Sequence, residues 1–422
     1  MDNGISADYR INRINDQVSL GRHRGSPGWL AYYDFFAGLL VYKADITTIA
    51  VESAKGIWSA LVILLIIWTA ILMYQVGDEA KAFIVIKEGM SKLLPNELLL
   101  VLAMGWIFES FLQGITGFGV PVAVGAPLLI GIGVAPMYAI VIPLLGQAWG
   151  NTFGTLGAAW DSLTVSAGVQ AGSPEYYRAA FWAAVFLLVW DFVTGIIICW
   201  LYGKGKAVKK GLPAVLVMTI IGGGGELVLS QVNTTLSNFV PAVICLVVLM
   251  LMGRMKMYRD EWRIEDSKIM VRTESTGETL DAPKDMTLVQ AFVPYVLLSL
   301  MTIIVLTVAP INAFLSKVQL SISVPETSTG YGFVNAASDA FSPIVPFTHA
   351  SMFLFLSAVI GLAYYKKHGW IQAGGTKAIF GRSITMTMPS GMAVIGLVIM
   401  SKIMSEPDRP SFFLRELPRA GQ

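Results

Sequence analysis

The sequence predicts an all-α polytopic membrane protein, and three observations predict it. Of the 422 residues, 55% are apolar and only 14% charged, where soluble domains carry roughly a quarter charged residues. Mostly uncharged runs long enough to cross the hydrocarbon, roughly 20 residues each, recur along the chain. Between them Lys and Arg gather in clusters, as they do at the cytoplasmic ends of spans. A chain with so little polar surface has lipid as its natural solvent, and about 9–11 hydrophobic helical segments fit within it, some of them broken or re-entrant.

Residues 1–27 form a polar arm with Arg10, Arg13, Arg22 and Arg24. It lacks an apolar core followed by a small-residue cleavage site, so it does not read as a signal peptide. Trp29 to Tyr42 is apolar but short, and Asp34 interrupts it. Ile57 to Val76 is a span without charge. Leu98 to Gly117 follows with one acid, then Tyr177 to Tyr202 with Asp191, Leu212 to Gln231, and the slightly short Leu236 to Gly253. Val289 to Ala309, His349 to Tyr365 and Ile384 to Met404 complete the set. Residues 28–404 therefore make one transmembrane domain, followed by a polar tail, 405–422.

The basic clusters orient it. Lys204, Lys206, Lys209 and Lys210 form one cluster, and Arg254, Lys256, Arg259 and Arg263 another, at the start of a charged loop 254–287. The two helices between them turn at an uncharged stretch, Val232 to Asn238, so both clusters can be cytoplasmic. The stretch 310–347 then lies outside, and Lys366, Lys367, Lys377 and Arg382 lie inside.

Between Glu109 and Asp161 there is no charged residue, yet ten glycines and four prolines interrupt the apolar run. Broken helices of this kind mark transporter binding sites. Their freed backbone groups must be buried in protein or line a wet cavity. In Gly117-Phe118-Gly119-Val120-Pro121, the glycines permit a close backbone approach and the proline suits a first helical turn. A helix beginning near Val120 would aim free N–H groups at the glycine turn and attract an anion without any basic side chain. Glycines that merely allow close helix packing are the competing reading. Gly146, Gly150 and Gly154 recur every four residues, which suggests one face of a helix used for packing. Asn151 and Thr152 beside it can hydrogen-bond substrate or a neighbouring helix.

Acids within spans are functional candidates. Glu109, with Gln113 one turn on, is the first candidate for binding a proton, since low dielectric favours the neutral carboxyl. Asp191 is the second. Asp161 reads as an acid at the outer interface. Glu226 follows Gly222 to Gly225, which reads as a second helix interruption. A structural hydrogen bond competes for each of them.

Other chemistries find no support. Cys199 and Cys245 lie inside apolar runs and read as buried hydrophobes. The three histidines, His23, His349 and His368, join no metal-ligand spacing. No phosphate-binding loop with a lysine occurs, and a net charge of +2 with no basic stripe gives no hint of nucleic acid. Neither an enzyme, nor a cofactor, nor a bound metal is expected.

The run FESFLQGITGFGVPVAVGAPLLIGIGVAPMYA, Phe108 to Ala139, resembles the L-lactate permease family of bacterial monocarboxylate transporters, most specifically in its core from Gly117 to Ala123. The likeness extends more loosely from Trp29 to Met404, through AWGNTFGTLGAAWDS, the Gly222 run and the segment Lys366 to Met388. The resemblance implies proton-coupled import of lactate, glycolate and related 2-hydroxy acids across the bacterial inner membrane. It also implies an architecture like that of inverted-repeat ion transporters. The expected partners are a small carboxylate, a proton and the bilayer. The expected substrate residues are Gln113, Thr116, Gly117, Phe118, Gly119, Pro121, Asn151 and Thr152, with Glu109 or Asp191 for the proton. Three features depart from the family. Its FLEG is Phe111-Leu112-Gln113-Gly114 here, with the acid one turn earlier at Glu109. A polar arm stands where the family has its first helix, and SEPDRPSFFLRELPRAGQ stands where it continues with helices and a motif mirroring the first site. A chain shortened at both ends is therefore expected. A truncated, non-transporting member of the family, or an ion antiporter of the same architecture, is the alternative.

Overall fold

The computed structural model describes residues 45–117, 120–271, 283, 285–328, 334–372 and 374–404. The polar arm, Trp29 to Tyr42, Phe118, Gly119 and the tail 405–422 lie outside the described residues. Within them the chain is helical apart from one small β segment.

Helix α1, Ile46–Glu79, starts where the Asp45 side chain accepts the Thr48 N–H at 2.7 Å. At about 1.5 Å per residue, its 34 residues exceed the thickness of the hydrocarbon. Two charges are buried near its start, and they survive as a pair: Lys55 Nζ donates to Glu52 Oε1 at 2.7 Å. The same oxygen accepts from Asn335 Nδ2 at 3.2 Å and Thr327 Oγ1 at 3.3 Å. An ion pair taken out of water needs such added hydrogen bonds to offset its desolvation.

Asn335 and Thr327 belong to a β segment within the stretch 310–347, which no pattern in the sequence signals. Strand β1, Leu320–Val324, pairs antiparallel with β4, Ser338–Ile344; β2, Thr327–Ser328, pairs with β3, Val334–Asn335. The segment is fastened to α1 by the Trp58 indole donating to the Ser342 carbonyl at 3.0 Å, and by Thr48 Oγ1 donating to the Ser328 carbonyl at 3.0 Å.

After α2, Ala82–Leu93, comes α3, Glu97–Ile115, the central span. Almost every side chain of α3 is buried, so protein rather than lipid surrounds it. Within it, Ala103–Ile107 forms a π-helical turn, a distortion frequent at functional sites. Two short helices follow, α4 at Val120–Ile130 and α5 at Pro136–Gly146. Each has 11 residues, about 16 Å of rise, and neither reaches across a hydrocarbon core of about 30 Å. Their connecting turn is tied to the loop after Met252: the Ala135 N–H donates to the Ile269 carbonyl and the Val271 N–H to the Gly133 carbonyl, both at 2.8 Å.

Helix α6, Ala158–Ser166, leads to α7, Pro174–Ser230. The latter is two spans folded back at Gly203 and Lys204, whose backbone is not helical. Close approaches across the hairpin run antiparallel: Gly195 faces Val215, Gly211 faces Cys199, and Gly223 faces Leu188. The expected interruption at Gly222 to Gly225 does not occur, and the helix runs on to Ser230. Those glycines serve packing instead. A Cβ on Gly223 would lie 2.8 Å from the Leu188 Cα, and one on Gly225 2.9 Å from the Pro241 ring of α8, Phe239–Met252.

The remaining helices are α9, Leu288–Thr307; α10, Ala309–Leu315; α11, Ala350–Lys367; and α12, Gly375–Met404. The loops that carry the basic clusters are stitched together at one end of the bundle. Arg382 pairs with Glu79, Tyr202 with Glu97, the Glu97 N–H with the Trp262 carbonyl, and Tyr258 Oη with the Lys210 carbonyl at 2.9 Å. Around the outside, Phe186, Val189, Val228, Val289 and Leu300 are exposed, a surface suited to lipid.

Helices α3 and α5 cross with their backbones in close approach. A Cβ on Gly146 would fall on the Gly105 carbonyl and lie 2.8 Å from the Trp106 Cα. A Cβ on Gly105 would press on the Ile142 side chain, which can turn aside, and touch Leu129 Cδ1 at an ordinary 3.5 Å. Gly146→Ala should therefore cost about 1–3 kcal/mol or more as an overpacked backbone contact, and Gly105→Ala less. Thermal unfolding in detergent, with Gly146→Ala melting lower, checks the order.

Candidate functional site

The central span ends at Ile115 and α4 begins at Val120, so the chain breaks where the glycine turn is predicted. Gly117 has φ +57°, the left-handed region that costs a residue with a Cβ roughly 1–2 kcal/mol. The Val120 N–H donates to the Gly117 carbonyl at 3.0 Å, and Pro121 occupies the first turn of α4. The unpaired N–H groups of a helix start face back along its axis, here toward the turn. Phe118 and Gly119 lie outside the described residues.

A second break faces this one. Helix α5 stops at Gly146, and the chain passes through short 3₁₀ turns at Ala148–Gly150 and Thr155–Gly157 before α6. Gly146, Gly150 and Gly154 therefore do not line one helix face, because no single helix contains them. Each does serve close packing. Gly154 lies against the carbonyls of Gly150 and Gln113, and Gly150 against the Asn238 side chain. Thr155, Leu156 and Gly157 are consecutive left-handed residues, with φ of +51°, +50° and +85°. Two non-glycine residues in that region store strain that the surrounding packing must hold.

The breaks meet through Gly117, where a Cβ would collide with Thr155 Oγ1. Gln113 extends beside them, its Nε2 3.5 Å from Asn151 Oδ1 and 3.0 Å from where a Gly154 Cβ would stand. Gln113, Gly117, Asn151, Gly154 and Thr155 are thus gathered. Asn151 is exposed, Thr152 half-buried, and Gln113 buried. Thr116 turns away, its Oγ1 donating to the Leu112 carbonyl at 2.8 Å, so its proton is not free for a ligand. No Lys or Arg occurs between Lys92 and Arg178; the donors here are amides, a hydroxyl and main-chain N–H groups.

The acids separate. Asp191 is buried and accepts the Trp106 indole N–H at 2.9 Å. Trp106 lies in the π turn one helical turn before Glu109. Ser110 accepts from the Trp149 indole, and its Oγ lies 2.8 Å from the Trp106 carbonyl and 2.9 Å from that of Gly146, donating to one of them. Glu109 is fully buried, and neither carboxyl oxygen has a hydrogen-bond partner among the described residues. Gly125 of α4 makes room for it, since a Cβ there would strike the carboxyl group. An ionised carboxylate without a partner costs several kcal/mol in such surroundings. An unsatisfied neutral group costs about 1–3 kcal/mol. Asp161 is exposed on α6, and Cys199 and Cys245 are buried and free.

Sequence reading missed Thr155, Trp106 and Asn238. The signal for Thr155 was its place between Gly154 and Gly157. Asn238 gave none, standing in a turn that reads only as an uncharged connection.

The sequence profile of the L-lactate permease family matches residues 29–408. The L-lactate permease of Halalkalibacterium halodurans is 24% identical over 234 residues, which are 54% of this chain and 42% of that protein. That of Escherichia coli K12 is 27% identical over 216 residues, 50% of this chain and 36% of that protein. That of Bacillus subtilis is 29% identical over 134 residues, 32% and 24% of the two chains. The matched region thus spans less than half the length of these relatives. No solved structure matches.

Gly117→Ala combines a left-handed strain with a collision at Thr155. It should lower the melting temperature in detergent, and adding Thr155→Ala should recover part of the loss by removing the hydroxyl. Roughly 1–2 kcal/mol of backbone strain should remain. No recovery in the double variant would mean that the two breaks do not touch.

Proposed function

We propose that this chain, which belongs to the L-lactate permease family, carries lactate or a related 2-hydroxy monocarboxylate across the membrane together with a proton. The family is one of transporters rather than enzymes, and the helices are those of a multi-pass membrane protein. The relatives are named for L-lactate as their cargo, and lactate comes to this chain as the proposal.

The observation that carries the reading is the broken span at Gly117, where a short helix starts within a stretch that has no Lys or Arg between Lys92 and Arg178. The carboxylate of the substrate sits at the start of α4, held by N–H groups that the short helix leaves unpaired. Its 2-hydroxyl is met by the Gln113 and Asn151 amides and by Thr155. Helices α4 and α5 run as a short hairpin between this point and the end of the bundle where the basic clusters gather, with their connecting turn held there by the loop after Met252. That end is cytoplasmic by the positive-inside rule.

Glu109 takes the proton. It stands one turn from Gln113 on α3, is wholly buried, and has no hydrogen-bond partner among the described residues that would hold it ionised. Asp191 is the weaker choice, because the Trp106 indole already donates to it. One anion moving with one proton carries no net charge. The membrane potential then does no work on the pair, while a pH gradient drives accumulation about tenfold per unit, roughly 1.4 kcal/mol.

Uptake of labelled L-lactate into vesicles with and without an imposed pH gradient tests the reading. Accumulation should follow the gradient and fall at least about tenfold in Glu109→Gln at one unit of ΔpH, and less in Asp191→Asn. Uptake indifferent to the gradient rejects the proton. Uptake that responds to sodium and ignores carboxylates favours an ion antiporter instead.

A further inference from the structure

We propose that Glu226 and Asn238 form a second proton-binding site, separate from Glu109 and built so that either charge state of the acid is hydrogen-bonded. The proposal rests on the proton-coupled reading above and adds a site to it.

Glu226 lies in the returning arm of the α7 hairpin, and Asn238 immediately precedes α8. Both are wholly buried. Neither oxygen of the Glu226 carboxyl and neither polar atom of the Asn238 amide has a hydrogen-bond partner among the described residues. The two side chains nevertheless border the same short segment: Gly222, one turn before Glu226, packs against Trp149, and Asn238 packs against the adjoining Gly150. This leaves acid and amide close enough to act on one another. Four buried polar atoms left open side by side are an expensive arrangement, at about 1–3 kcal/mol for each neutral group. Packing by itself gives no reason for an acid and an amide to meet there, since an apolar pair of similar volume avoids the cost.

The chemistry of an amide supplies a reason. Asn238 can donate from Nδ2 to an ionised Glu226, and after a half-turn of the amide it can accept at Oδ1 from the protonated acid. One side chain thus serves both states, which neither an apolar nor a basic residue does. The half-turn has consequences for the neighbours. Asn238 is clasped between two glycines: a Cβ on Gly150 would lie 2.7 Å from Nδ2 and 2.8 Å from Oδ1, and one on Gly114 3.0 Å from Oδ1. Gly114 adjoins Gln113, and Gly150 adjoins Asn151. The amide that answers to Glu226 therefore abuts the backbone that carries the proposed substrate amides.

Titratable groups stand on the elements packed around Glu226. Asp191 acts on it from the facing arm of the hairpin, and its Oδ2 is 3.3 Å from where a Gly222 Cβ would stand, one turn before Glu226. Cys245 of α8 lies at 3.3 Å from the same point. Glu109 stands on α3, the helix that carries Gly114. Two acids facing one another across the hairpin disfavour a second negative charge.

The test is an infrared difference titration of the purified chain in lipid nanodiscs, reading the carbonyl stretch of protonated carboxylic acids as pH is raised. Glu226→Gln should remove one band that Glu109→Gln leaves in place, and Asn238→Leu should shift that band by removing its hydrogen-bond partner. Vesicle accumulation in Glu226→Gln should fall from about tenfold per pH unit toward no dependence on pH. Superimposable spectra for Glu226→Gln and the unaltered chain overturn the site, as does a band abolished by sodium at constant pH. If the unaltered chain ignores the pH gradient while the Glu226 band still titrates, the coupled-transport reading fails and the proton site stands.

Discussion

A main-chain N–H or C=O inside a lipid slab must find a partner, and this requirement organises the molecule. A helix meets it within itself, so the outer spans can face lipid with side chains such as Phe186, Val228 and Leu300. A helix that stops in the interior, as α3 does at Ile115 and α5 at Gly146, frees backbone groups that lipid cannot satisfy. Such ends need protein around them. The burial of α3 on every side, the approach of Gly146 to Gly105, and the clasp of Asn238 between Gly114 and Gly150 all follow from that need.

The same constraint makes the interior useful. Groups that cannot be satisfied by their own helix remain open to a ligand, and in the proposed function the start of α4 beside the Gly117 turn takes that role. A basic side chain would hold an anion more strongly, but a transporter must also let it go. Main-chain donors and amides would bind through several modest hydrogen bonds, each worth roughly 0.5–1.5 kcal/mol net, none of them hard to break. The buried acids are disposed differently: Asp191 has a donor in Trp106, whereas the carboxyl oxygens of Glu109 and Glu226 have no hydrogen-bond partner among the described residues.

Much of this was legible in the sequence, because it follows from length and composition. The spans from Ile57 onward correspond to helices, and the break at Gly117 lies where glycine and Pro121 predict it. The errors share one cause. Glycine permits a turn but also permits close packing, and sequence does not say which. Gly222 to Gly225 reads as an interruption, yet the neighbours Leu188 and Pro241 press against a continuous helix. Gly146, Gly150 and Gly154 read as one face, yet the chain leaves the helix after the first. Thr155 and Leu156 adopt left-handed backbone without being glycine, which only tertiary packing can impose. The pairing of Glu226 with Asn238 joins the hairpin to the start of the next helix, and no local pattern encodes it.

The central claim is that the two chain breaks enclose a wet, anion-accepting cavity. The direct measurement places a single cysteine at Asn151, in a chain with Cys199 and Cys245 replaced, and follows its reaction with a membrane-impermeant thiol reagent. The account predicts labelling that added L-lactate slows in proportion to its occupancy, and that chloride at equal concentration does not. A residue that stays unlabelled from both sides of the membrane, or labels at a rate indifferent to lactate, contradicts it.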